Sequence, residues 1–121
     1  TIFLAERCAE LMNNNIITDR TVIDVMAFTL NAKSIGHQDK DIFENYAKEF
    51  IREYDYIFYI SPYGLPIEDN GVRETDEYYR DLIDFTITTL IKRYGYMSNS
   101  IEKISGSTDE RIQQILNITG L

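Results

Sequence analysis

Three small groups of side chains in this sequence are of types that do chemistry together. The first is Asp19-Arg20, directly after the apolar pair Ile16-Ile17 and directly before Thr21. An acid and a base at the carboxyl end of a strand stand where open α/β sheets bind ligands. Asp19 can take a proton from an attacking hydroxyl or hold Mg²⁺ through water, and Arg20 can fork onto a phosphate. The plainer reading makes Asp19 a helix cap and gives Arg20 a surface acid as partner. The second group is Arg73, the sole base in the acidic stretch 68–77, together with Arg80 one helical turn further on. A loop that closes would carry both onto a polyanion, where positive charge stabilises a transferring phosphoryl group. The competing role of Arg80 is local charge balance with Glu77 and Asp84, both within helical reach. The third group is Ser105, Gly106, Ser107 and Arg111. Small residues before a helix leave backbone amides free and let a flat ring approach, though any strand-to-helix connection wants the same residues.

These groups need elements to position them. Residues 16–20 read as a short buried strand, and Thr21 with Asp24 three residues on makes a capping box for a helix with Val22, Val25, Met26, Thr29 and Leu30 inward. Gly36 marks a turn, and Asp39 is expected to cap a helix whose Phe43, Tyr46, Ala47, Phe50, Ile51 and Tyr54 form a stripe. Residues 56–60 are β-rich and apolar on both faces, as in a strand covered on each side. Residues 61–76 form a long loop, a length usually tied to function or mobility. The longest helix follows, with Tyr79, Leu82, Ile83, Thr86, Ile87, Leu90, Ile91 and Tyr94 at helical spacing and Lys92, Arg93 and Gly95 as end signals. Residues 101–104 form another strand, and a capping box from Ser107 to Glu110 opens a last helix with Ile112, Ile115 and Leu116 inward. Strands alternating with helices imply a parallel sheet between helical layers, with the three strand exits converging on one edge.

At 121 residues the chain is expected to be one domain, 1–121. Twelve basic residues against twenty acidic give a net charge of −8, which disfavours direct binding to nucleic acid or an anionic membrane. No apolar run reaches the roughly 18 residues of a membrane span and no leader pattern opens the chain, so a soluble, cytoplasmic protein is expected. The single cysteine, Cys8, and the single histidine, His37, make neither an internal disulfide nor a zinc site of ordinary spacing, and both read as structural. Nine tyrosines without tryptophan read as amphipathic packing. The sequence opens at Thr1 inside a helical pattern, residues 2–12, with Leu4, Cys8, Leu11 and Met12 on one face. Three strands are few for a parallel sheet, and together these features lead us to expect a missing amino-terminal strand.

The motifs in order bear a resemblance. Thr-Asp-Arg-Thr-Val-Ile-Asp at 18–24, residues 55–61 with Gly64, residues 69–73, Tyr79-Arg80 and residues 105–111 resemble the later part of a P-loop nucleoside or nucleotide kinase. The AAA-type ATPase/kinase group that includes ribosylnicotinamide kinase is the nearest likeness, with thymidylate and deoxynucleoside kinases more distant. The resemblance implies a three-layer P-loop NTPase-like α/β fold, ATP and Mg²⁺, and a small nucleoside- or nucleotide-type acceptor. It makes Asp19 and Arg20 the acid-arginine pair near acceptor and metal, Arg73 and Arg80 lid arginines, and Ser105, Gly106, Ser107 and Arg111 the border of the adenine. One departure is large: no Gly-x-x-x-x-Gly-Lys-Ser/Thr loop occurs anywhere, so the amino-terminal strand and P-loop are absent and the chain alone is not expected to bind ATP well. Two rivals stand beside the kinase, a P-loop-derived module that binds proteins without catalysis and an ATPase without an acceptor. Homo-oligomerisation is left open.

Overall fold

A computed structural model describes residues 16–62 and 77–121. The expected helix over 2–12 and most of the loop, including Arg73, lie outside the described residues. Within them the protein is a mixed α/β structure of four helices and a two-stranded parallel sheet.

Helix α1, Val22–Leu30, begins as its sequence dictates: the Thr21 hydroxyl accepts from the Ile23 amide, and the Asp24 carboxylate accepts from the Thr21 amide at 2.8 Å. The buried face is Val22, Ile23, Met26 and Ala27, slightly rotated from the expected stripe, because Val25, Thr29 and Leu30 are only half-buried. Helix α2, His37–Ala47, starts two residues before Asp39. Gly36 takes the extended cap position, and Asp39 falls in the first turn, where the amino-terminal dipole favours an acid. A 3₁₀ stretch, Lys48–Glu53, continues α2 and buries Ile51. Tyr46 of the expected stripe points out, 58 % exposed. Tyr54 then ties this segment to the start of α1, its hydroxyl accepting from the Val22 amide at 3.1 Å.

Strands β1, Ile57–Ile60, and β2, Ile101–Ile104, pair in parallel, Ile57 beside Ile101 and Ile60 beside Ile104. Between them runs helix α3, Glu77–Tyr94, which packs on α1 and contributes Ile83, Leu90 and Tyr94 to the core. Asn31 bridges the two helices, its amide donating to Ala27 O and to Thr86 Oγ1, each at 2.9 Å. At the far end of α3 the Glu44 carboxylate of α2 accepts from Arg93 at 2.8 Å and from the Tyr94 hydroxyl, fastening α2 to α3. The core is centred on Met26, Ala47, Ile51 and Leu90, with Ile57 bringing β1 into it.

Helix α4, Thr108–Thr119, opens with the expected capping box of Ser107 and Glu110. It rests on β2, clamped where Gln114 exchanges two hydrogen bonds with the Ser105 backbone, 3.2 Å and 2.6 Å. Its expected inner residues are corrected: Ile112 is 51 % and Leu116 38 % exposed, since β2 supplies the helix with a narrow support. A second correction concerns residues 16–20, which form no strand. A strand needs a neighbouring ladder, and the only ladder among the described residues joins β1 to β2. Residues 16–20 instead make a local turn-like bond, Thr18 Oγ1 to Arg20 O at 2.6 Å, with Ile17 91 % exposed.

Candidate functional site

Strand β1 and helices α1 and α3 all contribute to the lining of a groove of about 1550 Å³. The lining includes residues 16–21, all four residues of β1, Ile83, Ile87 and Ile91 of α3, and Ile115 of α4. Ligand pockets usually hold about 300–1,000 Å³, so this groove has room for more than a small molecule.

Its polar end is built from both helices. The Arg20 guanidinium lies over the Phe28 ring at 5.2 Å, and Phe28 meets Tyr79 at 6.3 Å between ring centres. This ladder brings the Asp19-Arg20 wall up to the start of α3, where Arg80 follows Tyr79. Asp19, Arg20 and Arg80 are all among the residues lining the same groove. Arg80 Nε stands 3.7 Å from Asp81 Oδ1. Burial pushes the Asp24 carboxyl above its ordinary range, while its bond from the Thr21 amide and the charge of Arg20 act in the opposite direction.

The groove contains a pair that sequence reasoning missed. Asp84 is 8 % exposed, and its Oδ1 accepts from the Tyr59 hydroxyl at 2.5 Å. Sequence reasoning cast Asp84 as a charge partner of Arg80 and Tyr59 as packing in an apolar strand. The available signal was an acid beside Ile83 on the inner side of a long helix, where a carboxylate needs a partner.

The third group does not join the site: none of Ser105, Gly106, Ser107 and Arg111 lines the groove. Their described bonds close the turn instead. Ser107 caps α4 through the Glu110 amide, Arg111 donates to Ser107 O and Thr108 Oγ1, and Gly106 takes φ 100, a conformation glycine adopts at low cost. The Ser107 amide, with its side chain in support, holds the Glu110 carboxyl below its ordinary range.

Among the described residues, the first amides of α1 and α4 are engaged by Tyr54, Thr21 and Ser107, and no glycine-rich phosphate loop exists in the sequence. Among the described residues no group of three or more His, Cys, Asp or Glu side chains gathers. Also among the described residues, no helix is long and apolar enough to cross a membrane. The fold and groove thus define an α/β protein with a small parallel sheet and a mixed-charge cleft. No protein family, curated protein or solved structure matches the chain.

Proposed function

We propose that this chain is the acceptor side of a P-loop kinase-like protein that transfers a phosphoryl group to a small nucleoside, nucleotide or related metabolite. The observation that carries the reading is a groove lined by both residues 16–21 and β1. Parallel sheets are stable when several strands are buried on both faces, and here β1 has one described neighbour, β2. A further strand in that groove would pair with β1 and bring residues 16–20 into the same sheet, giving the three-layer arrangement. The polar end would then lie at the carboxyl edge, the side on which such sheets bind ligands.

In this reading Asp19 accepts the proton of the acceptor hydroxyl, and Arg20 and Arg80 hold phosphate oxygens from opposite sides of the groove. Arg73, outside the described residues, joins them on lid closure. The phosphoryl donor is held by chain outside the described residues, because those described offer it no cradle. Calorimetry of Mg-ATP with the full-length protein tests the reading; an absence of binding heat sinks it. The engaged helix amides favour a second reading, a P-loop-derived module that binds another protein, which requires that same titration to be silent.

A further inference from the structure

Successive side chains of a strand point to opposite faces of a sheet, so a cleft on one face meets alternate residues. The groove takes all four residues of β1 and, from its ladder neighbour β2, only Ile104. It therefore reaches around the side of β1 that β2 does not cover, and among the described residues no other strand pairs there. Strand edges of this kind accept an added strand from another chain: main-chain hydrogen bonds give affinity, and pockets for alternate side chains give selection.

Two features of the lining select what enters. Ile16, Ile17, Tyr56 and Ile60 are each more than two-fifths exposed, and apolar side chains are what cover them. The charged residues of the lining are five acids against two arginines. Asp19, Glu53 and Asp55 are exposed, whereas Arg20 acts on Asp24 and Arg80 stands beside Asp81. Cationic side chains are thus favoured, and a second copy, at −8, is repelled. Glu53 and Asp55 stand just ahead of β1 in the chain, which sets the cations of a docked segment beside its apolar stretch and not within it.

We propose that the groove is a docking site for an extended segment of a partner protein, apolar at alternate positions and flanked by Lys or Arg, which adds to the sheet beside β1. This names the partner class for the protein-binding reading and rests on it; in the kinase reading the same space belongs to a strand of the protein itself.

The test is fluorescence anisotropy of the 121-residue chain with a labelled peptide of about nine residues, Val, Ile and Val alternating with Thr between paired lysines. It should bind about tenfold or more tightly than the same peptide with glutamates for lysines, and the difference should shrink in high salt. Proline in place of the central Ile-Thr removes a donor on either edge of the segment and should abolish binding. Exchange of β1 amides should slow when the lysine peptide is present. Ile60→Lys should weaken that peptide by about tenfold. Asp55 is exposed, so Asp55→Lys reads the charge preference even where Ile60→Lys disturbs the fold; it should weaken the lysine peptide and tighten the glutamate one. Equal affinity for the two peptides, binding that survives the prolines, or no binding at about 1 mM peptide overturns the proposal. A stable dimer of the chain in sedimentation does the same, since a second copy would then be the occupant. Mg-ATP titrated into the full-length protein is a separate arm. With no peptide bound, a silent titration sinks this proposal and leaves the protein-binding reading, whereas binding heat returns the groove to the protein's own strand.

Discussion

Tyr59→Phe is the sharpest probe of how β1 is fixed to α3. The substitution removes one oxygen and leaves the ring, so packing in the strand is preserved while Asp84 Oδ1 loses the donor 2.5 Å away. A hydrogen bond to a charged group contributes about 1.5–3 kcal/mol, and the part-buried setting of this one places it near the lower end, about 1.5–2 kcal/mol. A chain of 121 residues unfolds with an entropy of about 0.25 kcal/mol/K, so Tm should fall by about 6–8 °C in scanning calorimetry. The loss should depend on the carboxylate. In Asp84→Leu the hydroxyl loses this acceptor, so adding Tyr59→Phe should cost less than it does in the parent, with a coupling of about 1 kcal/mol or more in the double-mutant cycle. If Tyr59→Phe lies within about 2 °C of the parent, or the two substitutions simply add, the pair does not join strand to helix and the reasoning fails.

Asp24 gives a pH dependence with a definite sign. Burial raises its folded-state pKa above the ordinary 3.8, so the folded protein binds more protons than the unfolded chain, and its contribution falls as pH rises from below 3.8 through the raised value. Asp24→Asn keeps an acceptor for the Thr21 amide and does not titrate; Tm of the parent minus Tm of this variant should therefore be largest in acid and smallest at neutral pH. A difference that grows with pH would show the opposite linkage. At the turn before α4, Gly106→Ala must hold a Cβ at φ 100 and 3.1 Å from Glu110 Cδ, which should cost about 1 kcal/mol or more and lower Tm by about 4 °C. An unchanged melting temperature would mean that this turn relaxes freely.

What could be read in the sequence was whatever depends on neighbours along the chain. The helical spacing of Ile83, Leu90 and Tyr94 located α3, and both capping boxes formed between the residues that spell them. The strands at 57–60 and 101–104 were legible, the first within a β-rich apolar run expected over 56–60, and their parallel pairing followed from the helix between them. Residues 16–20 have the same local character, yet they form no strand, because a strand is completed by a ladder that its own residues do not encode. The expected inward turn of Ile112 and Leu116 failed for a similar reason: periodicity marks an apolar face and cannot say how wide its support is. Of the site, Asp19, Arg20 and Arg80 line one groove, while the strand exit at 105–107 expected to converge with the first does not. Tyr59 and Asp84 are 25 residues apart and meet through the packing of α3 on the sheet, which no local pattern reports.

The exposed apolar residues show why the groove, and not the fold at large, is the place to look for function. Singly exposed side chains such as Phe85 and Tyr96 are ordinary on a protein surface. Ile16, Ile17, Tyr56, Ile60 and Leu121 are different: all are more than two-fifths exposed, and all line the same groove. Five such residues in one lining would favour unspecific association between copies, a hazard that proteins normally cover or blunt with charge. Here charge lies close by in Asp19, Glu53 and Asp55 along the lining, on a chain whose net charge is −8. Acids around the lining leave the apolar strip beside β1 intact, so they discourage a second acidic copy without closing the slot to an apolar strand. In the proposed function the groove would divide its work, with backbone and isoleucine where a strand would lie and hydrogen-bonded polar groups where a small molecule would enter.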